Sequence, residues 1–336
     1  MKRRSVESQG ISRRLVIKSA AAMGGLALMP GTGFAQTYPS KPIKIIVGFT
    51  AGGAADLIAR IVGAILSSKF GQPVTVENQP GASGGLATEA VATAPADGYT
   101  LLVAATPPIA VNPHTYKNMR VNPITDLEHI TMVGEGNWVL GINAGLKANT
   151  FAELVELSKS TPGGLRFGTT GNGGGPHLVG ESIRLQTGAN ISAVHYRGAS
   201  QALPDLLSNQ IQMLIISYTT LEPHVKSGDL RILLTFDDER EPMAPEVPTA
   251  GESGYPDLDK CKTWVSLHAP KGTPDEVLNT LHGAIVEYLE KPEYLERMVS
   301  LGFPPVGNSP AEFKARLDEE YRIWGEIATA ANVVVE

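Results

Sequence analysis

Apolar and polar positions alternate in blocks along this chain, and the first clear block is Ile43 to Arg60, IKIIVGFTAGGAADLIAR. Ile43 to Phe49 is short, apolar and rich in β-branched side chains, which suits a strand buried on both faces. Leu57, Ile58, Ile61, Val62, Ile65 and Leu66 then recur at helical spacing, so a helix follows with those six on its inner face. Between them, Thr50-Ala51-Gly52-Gly53-Ala54-Ala55 has small side chains and leaves backbone N–H groups bare. The first N–H groups of a helix lack internal partners and sit at the positive end of its dipole, so this turn can hold an anion. Asp56 has two readings: a helix cap receiving backbone N–H groups, or an acid that meets a ligand's amine or hydroxyl. A carboxylate there would compete with a bound anion, which favours the cap.

The same pattern recurs. Gly71 and Pro73 end the first helix, and Val74 to Glu77 predicts a second strand. Asn78 to Gly85 is another small-residue loop, followed by a helix with Leu86, Ala87, Ala90, Val91 and Ala94 inward. Asp97-Gly98 turns the chain into a strand, Leu101 to Ala105, ending at Thr106-Pro107-Pro108. Strand-loop-helix repeated in this way predicts a parallel sheet whose post-strand loops converge on one crevice. A second unit begins near Val139. Thr150 and Glu153 form a capping-box pattern opening a helix, and Leu165 to Gly168 is a strand. It runs into the most glycine-dense loop, Thr169 to His177. A helix over about Leu178 to Gln186 and a strand, Ser192 to Tyr196, lead to Arg197-Gly198-Ala199-Ser200. A helix over Ala202 to Leu207 and a strand from Gln212 to Ile216 end at Ser217-Tyr218-Thr219-Thr220. Pro242 to Pro256 is a Pro-rich connection without periodicity. A strand, Thr263 to Ala269, follows. Thr273-Pro274-Asp275-Glu276 and Ser309-Pro310-Ala311-Glu312 each predict an N-cap, a first-turn proline and a capping-box glutamate. The helix after Ser309 should turn Phe313, Leu317, Tyr321, Trp324 and Ile327 inward.

The N-terminus stands apart from this pattern. Arg13-Arg14 and Lys18 precede a weakly apolar run, Ser19 to Met29, and Gly33-Phe34-Ala35 offers the small residues of a cleavage site. Residues 1–35 therefore read as a twin-arginine export signal, too short in its apolar part to span a bilayer. Its removal takes Lys plus Arg from 28 to 22 and Asp plus Glu from 34 to 33, so the net charge falls from −6 to −11. Such acidity argues against a nucleic-acid partner. An anionic ligand must then be held by local donors against the overall field. The single cysteine, Cys261, builds neither a disulfide nor a cysteine metal site and reads as a small core residue.

Three motifs carry candidate chemistry. Gly81-Ala82-Ser83-Gly84-Gly85 matches the five-residue elbow of serine hydrolases, but Pro80 and Gly81 separate Ser83 from its strand, and no histidine stands in a recognisable triad context. Otherwise Ser83 is a hydroxyl and N–H donor at a helix start. His177 and Glu181 stand four apart and could face one metal, yet no further ligand is spaced nearby, so no metal site is expected; a histidine bonding its neighbouring loop is the simpler reading. No phosphate loop is present, and Pro176 breaks the dinucleotide fingerprint.

Taken together, FTAGGAADLIAR, ENQPGASGG, PADGYTLL, GNGGGPHLVGES, VHYRGASQALPDLLSNQIQ, PEVPTAGESGYP and APKGTP resemble the tripartite tricarboxylate transporter substrate-receptor family, the Bug proteins, over essentially the whole mature chain. The resemblance implies an α/β periplasmic binding protein type II fold: two lobes, residues 36–138 plus 263–336 and residues 139–262, joined by crossing strands. It implies a periplasmic monomer with no catalysis and no cofactor, which closes on a small mono- or dicarboxylate and passes it to the membrane components of a tripartite transporter. Carried onto this chain, the ligand contacts would be Phe49, Thr50, Gly52, Gly53, Ala54, Ser83, Gly84, Thr106, Thr170, Gly171, Asn172, His177, Tyr196, Arg197, Ser200, Ser217 and Thr219. Arg197 is the candidate partner of a second carboxylate. Ala51 stands where the family usually has proline, and Ser217 where many members carry an acid. Two other functions fit the sequence: an exported hydrolase using Ser83, and a ligand sensor presenting its closed state to a membrane signalling protein.

Overall fold

The computed structural model describes residues 38–336, so the expected export signal lies outside the described residues. Residues Pro39–Glu336 form one compact unit. In chain order its main elements begin with β1 (Ile43–Val47), α1 (Ala54–Phe70), β2 (Val74–Asn78), α2 (Gly85–Ala92), β3 (Thr100–Ala105), β4 (Leu127–Gly136) and β5 (Trp138–Asn143). Next come α3 (Phe151–Ser160), β6 (Leu165–Thr169), α4 (Gly175–Thr187), β7 (Ile191–His195), α5 (Ala199–Leu207), β8 (Met213–Ser217), α6 (Tyr218–Lys226) and β9 (Leu230–Thr235). The last are β10 (Thr263–Pro270), α7 (Asp275–Leu289), α8 (Pro292–Ser300) and α9 (Pro310–Ala331).

Two five-stranded sheets organise the molecule, ordered β2-β1-β3-β10-β4 and β7-β6-β8-β5-β9. The expected parallel order holds for β1, β2 and β3 and for β6, β7 and β8. Neither sheet is wholly parallel, however. β10 runs antiparallel to β3 and β4, and β5 antiparallel to β8 and β9. The reason is the route of the chain: it passes from one sheet to the other with Asn137 alone between β4 and β5, then returns after β9 through residues 236–262 to insert β10. Lys262 Nζ lies 2.8 Å from Asp237 Oδ1 and 2.7 Å from Asp238 Oδ1, tying the two ends of that return. Helix α9 reaches both sheets: Phe313 meets Trp264 of β10 edge-on at 5.7 Å and Trp324 meets Trp138 of β5 at 6.0 Å, within the T-shaped range favoured by aromatic quadrupoles.

Several elements differ from the sequence pattern. β4, α6, β9 and α8 were not predicted. β4 buries Thr131 at 0% exposure, bonded to the Asn308 carbonyl, so its polar letters hide a buried strand. α6 carries Pro223 in its interior and reads as a loop. Leu57 and Leu86, expected inside, are 36% and 53% exposed; α2 buries the expected Ala87 and Val91, with Thr88 beside them. Ser309 and Glu312 form the full capping box, but Thr273 is no cap: Pro274 holds that place, and the buried Thr273 hydroxyl donates to Pro270 O at 2.8 Å. Thr150 caps α3 through Glu153 N, while Glu153 reaches one residue further back, to Asn149 N.

Gly180 marks the tightest helix-to-sheet approach in the second layer, since a Cβ there would run into the Phe167 ring of β6. Glycine to alanine in a helix ordinarily gains about 1 kcal/mol, whereas overpacking a core costs about 1–3 kcal/mol. Gly180→Ala is therefore expected to lower stability on balance, read as a reduced urea midpoint with an unchanged slope.

Candidate functional site

Four helices begin around one small cavity of about 110 Å³. Gly53, Ala54 and Ala55 bring the start of α1, Pro176 that of α4, Gly198 and Ala199 that of α5, and Ser217 and Thr220 that of α6. Phe49 and Thr50 from the first loop, Thr170 from the glycine-dense loop, and Trp138 and Phe303 complete much of the wall. The cap residues of these helices are Gly53, Gly174, Gly198 and Ser217, and none places a side-chain cap on its first-turn N–H groups. Elsewhere α3 and α9 are capped by Thr150 and Ser309. Four of the seven uncapped starts thus gather where the two sheets meet, α2, α7 and α8 being the others, and no Asp, Glu, Lys, Arg or His lines the cavity. Backbone N–H groups and helix dipoles make this a partly positive hollow without a formal charge, suited to an oxyanion.

A second, outer cavity of about 520 Å³ shares Phe49 and Thr170 with the first. Ser83, Gly84, Gly171, Asn172, Tyr196 and Arg197 line it, with Tyr116 and His195. Loops from the two sheets touch directly here. Ser83 Oγ donates to the Asn172 carbonyl at 3.2 Å, Tyr116 Oη donates to the same carbonyl at 2.7 Å, and Thr115 Oγ1 donates to Gly173 O at 2.9 Å. On the other side of the inner cavity, a Cβ on Gly198 would stand 2.7 Å from Thr50 Oγ1. These contacts join the loops of the two sheets directly. Ser83 adopts a left-handed backbone, φ 49°, and its hydroxyl bonds a carbonyl and the Tyr116 hydroxyl rather than a histidine. In this arrangement the Ser83 hydroxyl is engaged with the Asn172 carbonyl and Tyr116 and makes no hydrogen bond to a general base among the described residues.

Other expected contacts lie away from both cavities. Thr106 is fully buried and its hydroxyl accepts from Trp264 N at 2.9 Å; Ala105 and Pro107 line the wall instead. The Thr219 hydroxyl donates to Leu301 O at 3.0 Å, and its neighbour Thr220 faces the cavity. Ser200 is exposed and borders neither cavity. Gly52 N donates to Asp56 Oδ2 at 2.9 Å. Asp56, 1% exposed, also takes Arg60 and Asn78, whose amide in addition bonds Phe49 O. Burial pushes this carboxyl up, but the bonds from Arg60, Gly52 and Asn78 outweigh it and hold the group below its usual range. Asp56 thus braces the first loop from behind, through Gly52 N, Asn78 and an ion pair with Arg60, while the first-turn N–H groups of α1 receive no side-chain cap.

His177 also supports its loop. Its Nδ1 accepts from Gly173 N at 3.0 Å and its ring packs on His195 at 4.6 Å. Glu181 lies 3.9 Å away, and no cluster of three or more metal-ligating side chains occurs among the described residues. Burial, then the neighbouring His195, lowers the His177 pKa from 6.5 to about 4. The folded ring is neutral while the unfolded one takes a proton below about pH 6.5. Its contribution is therefore complete above that pH and is lost as pH falls toward 4. That amounts to about 2 kcal/mol between pH 7 and 5. Thermal unfolding at the two pH values should show a smaller difference in His177→Gln than in the parent.

Sequence reasoning missed Trp138, Thr263, Val265 and Phe303, which line the inner cavity. Trp138 and Thr263 lie where the chain crosses between sheets, and crossing points leave no local motif. Gly198 and Ala199 were visible as a small-residue loop.

The family model described as the tripartite tricarboxylate transporter family receptor matches residues 58–333. Protein BugT of Bordetella pertussis is 34% identical over 87% of this chain and 90% of its own. The solved periplasmic binding protein BugD is 30% identical, with a TM-score of 0.82, covering 89% of this chain and all of BugD. Rpa4515 of R. palustris, solved with adipate, is 29% identical with a TM-score of 0.84, covering 88% and 99% of the two chains. The fold is thus the α/β periplasmic-binding-protein fold, and the chain belongs to the tripartite tricarboxylate transporter receptor family, the Bug proteins.

Proposed function

We propose that this protein is a periplasmic receptor that captures a small organic carboxylate between two lobes, residues 36–138 plus 263–336 and residues 139–262. The closed form would deliver it to the membrane components of a tripartite transporter, and no catalytic step is involved. The observation that carries this reading is the set of four uncapped helix starts around a cavity with no charged lining. A carboxylate there gains charge-assisted bonds of about 1.5–3 kcal/mol each, enough for micromolar affinity after ordering costs without a cation beside it. The adipate in Rpa4515 is in keeping with such a ligand, and the periplasmic relatives and the twin-arginine pattern at Arg13-Arg14 favour export.

Differential scanning fluorimetry against a panel of organic acids, run after denaturing and refolding to strip co-purified ligand, tests the reading. A stabilisation of several degrees by one or more carboxylates, absent with their amides, is expected. Equal response to acid and amide would remove the carboxylate claim. Ser83 should not label with a fluorophosphonate probe; labelling abolished in Ser83→Ala would instead establish the hydrolase.

A further inference from the structure

The glycine-dense loop after β6 is met from the other sheet's side at two backbone carbonyls, Asn172 O and Gly173 O, which take the hydroxyls of Tyr116 and Thr115. The segment carrying those hydroxyls follows β3 and belongs to neither five-stranded sheet. It is held from behind by residues 333–336. Asn332 ends α9 in the left-handed conformation, φ 51°, and turns the chain back. Val335 then forms a parallel bridge with Tyr116: its N–H donates to Thr115 O at 2.7 Å and its carbonyl accepts from Lys117 N at 3.1 Å. These two bonds flank Tyr116 and fix the direction of its backbone. The same valine reaches the glycine-dense loop. A Cβ on Gly173 would stand 2.6 Å from Val335 Cγ2 and 3.1 Å from Thr115 Oγ1, and Gly173 has φ 69°, so both the space and the backbone there demand glycine. Little surface is invested in the segment after Val333: Val334 is 49% exposed, and Glu336 is exposed with Lys117 Nζ 3.9 Å away.

We propose that residues 333–336 are a strap with Val335 as its positioning residue: it holds Thr115 and Tyr116 against the Gly173 and Asn172 carbonyls and so governs how often the two loops part. This rests on the two-lobe reading in one respect, that parting of these loops opens the outer cavity they line. The strap touches no ligand. It acts through Tyr116, whose hydroxyl reaches the Asn172 carbonyl only while its backbone keeps the direction set by Val335. Without the strap, Thr115 O and Lys117 N turn to water, the segment gains freedom, and the hydroxyl bond must be made against that entropy.

Hydrogen exchange of refolded, ligand-free protein, read by mass spectrometry on peptides spanning residues 170–177, provides the test. The parent is compared with a chain ending at Val333, with Val335→Pro, with Tyr116→Phe, and with the truncation combined with Tyr116→Phe. Val334→Ala, at an exposed position, is the control. Truncation should speed exchange in those peptides about tenfold, since two backbone bonds and the Tyr116 bond they align are lost together. Val335→Pro removes only the donor to Thr115 O and should act in the same direction. Tyr116→Phe should speed the same peptides, and the combined variant should go no further than the truncation alone, because both remove one contact. Peptides of β1 and β6 should not change. Unaltered exchange on truncation, an equal rise in β1 and β6, or fully additive effects in the combined variant would each overturn the strap. No acid is present in the measurement, so a failed acid panel would remove the carboxylate reading and leave the strap, and unaltered exchange would do the reverse.

Discussion

Ser217→Asp is expected to lower carboxylate affinity about a hundredfold while leaving the folded protein as stable as the parent. Ser217 ends β8, caps α6 in an extended backbone conformation, borders the inner cavity and is 7% exposed. Aspartate is as good an N-cap residue as serine, so the helix start loses nothing. Its charge, however, would stand within a few ångströms of a carboxylate held in that cavity. Two like charges about 5 Å apart at an effective dielectric of 20 repel by about 3 kcal/mol, which is about two decades in the dissociation constant. Titration calorimetry measures the affinity and thermal unfolding the stability. Wild-type affinity in Ser217→Asp would place the carboxylate elsewhere, whereas a fallen melting point would make the loss of binding a folding effect. Ser217→Ala isolates the hydroxyl and should cost far less, about tenfold at most.

Arg316→Leu is expected to produce the largest loss of stability among single substitutions of charged side chains. On α9, Arg316 bonds Glu320 Oε1 at 2.9 Å and both oxygens of Glu135 on β4. Glu320, 8% exposed, also takes the indole N–H of Trp264 on β10. Burial pushes the Glu320 carboxyl up, and only the Trp264 and Arg316 bonds oppose that shift. Removing the arginine leaves two carboxylates facing each other with little water. Breaking a buried pair in this way costs about 3–5 kcal/mol, and the lower figure applies because Arg316 keeps about a third of its surface exposed. Guanidinium unfolding should show that loss, with Glu320→Gln restoring part of it in the double variant, since the repulsion then disappears. A loss below 1 kcal/mol in Arg316→Leu would mean that the carboxylates find other partners.

What the sequence revealed and concealed follows from the range of the interactions involved. β1 with α1 was readable because its apolar run, glycine turn and helical stripe are consecutive, and Gly71 ends the helix in the left-handed conformation, φ 65°. The capping box at Ser309 was readable for the same reason. Glu320 could have been found: it lies three residues after Leu317 and four before Trp324, on the buried stripe of α9. An acid on that stripe announces a buried partner. The hydroxyls of Thr106 and Thr219 were beyond reach, because a threonine after a strand can turn either to the crevice or to a backbone group of another element, and only the packing of β10 and α8 decides. Mixed strand direction was hidden too, since it depends on where the chain goes after β9.

That route has a consequence for how the molecule is made. β10 occupies the middle of its sheet, between β3 and β4, yet it is encoded more than a hundred residues after either. Until residues 263–270 have emerged during synthesis, β3 and β4 each present an unpaired edge of backbone donors and acceptors, the feature that promotes strand exchange between chains. The second sheet, by contrast, has all five of its strands by residue 235. The sheet encoded in the middle of the chain can therefore be finished first, and the sheet begun first must wait for β10. Premature termination after β4 and before residue 263 leaves the same open slot, and a synthetic β10 peptide is the natural ligand for it.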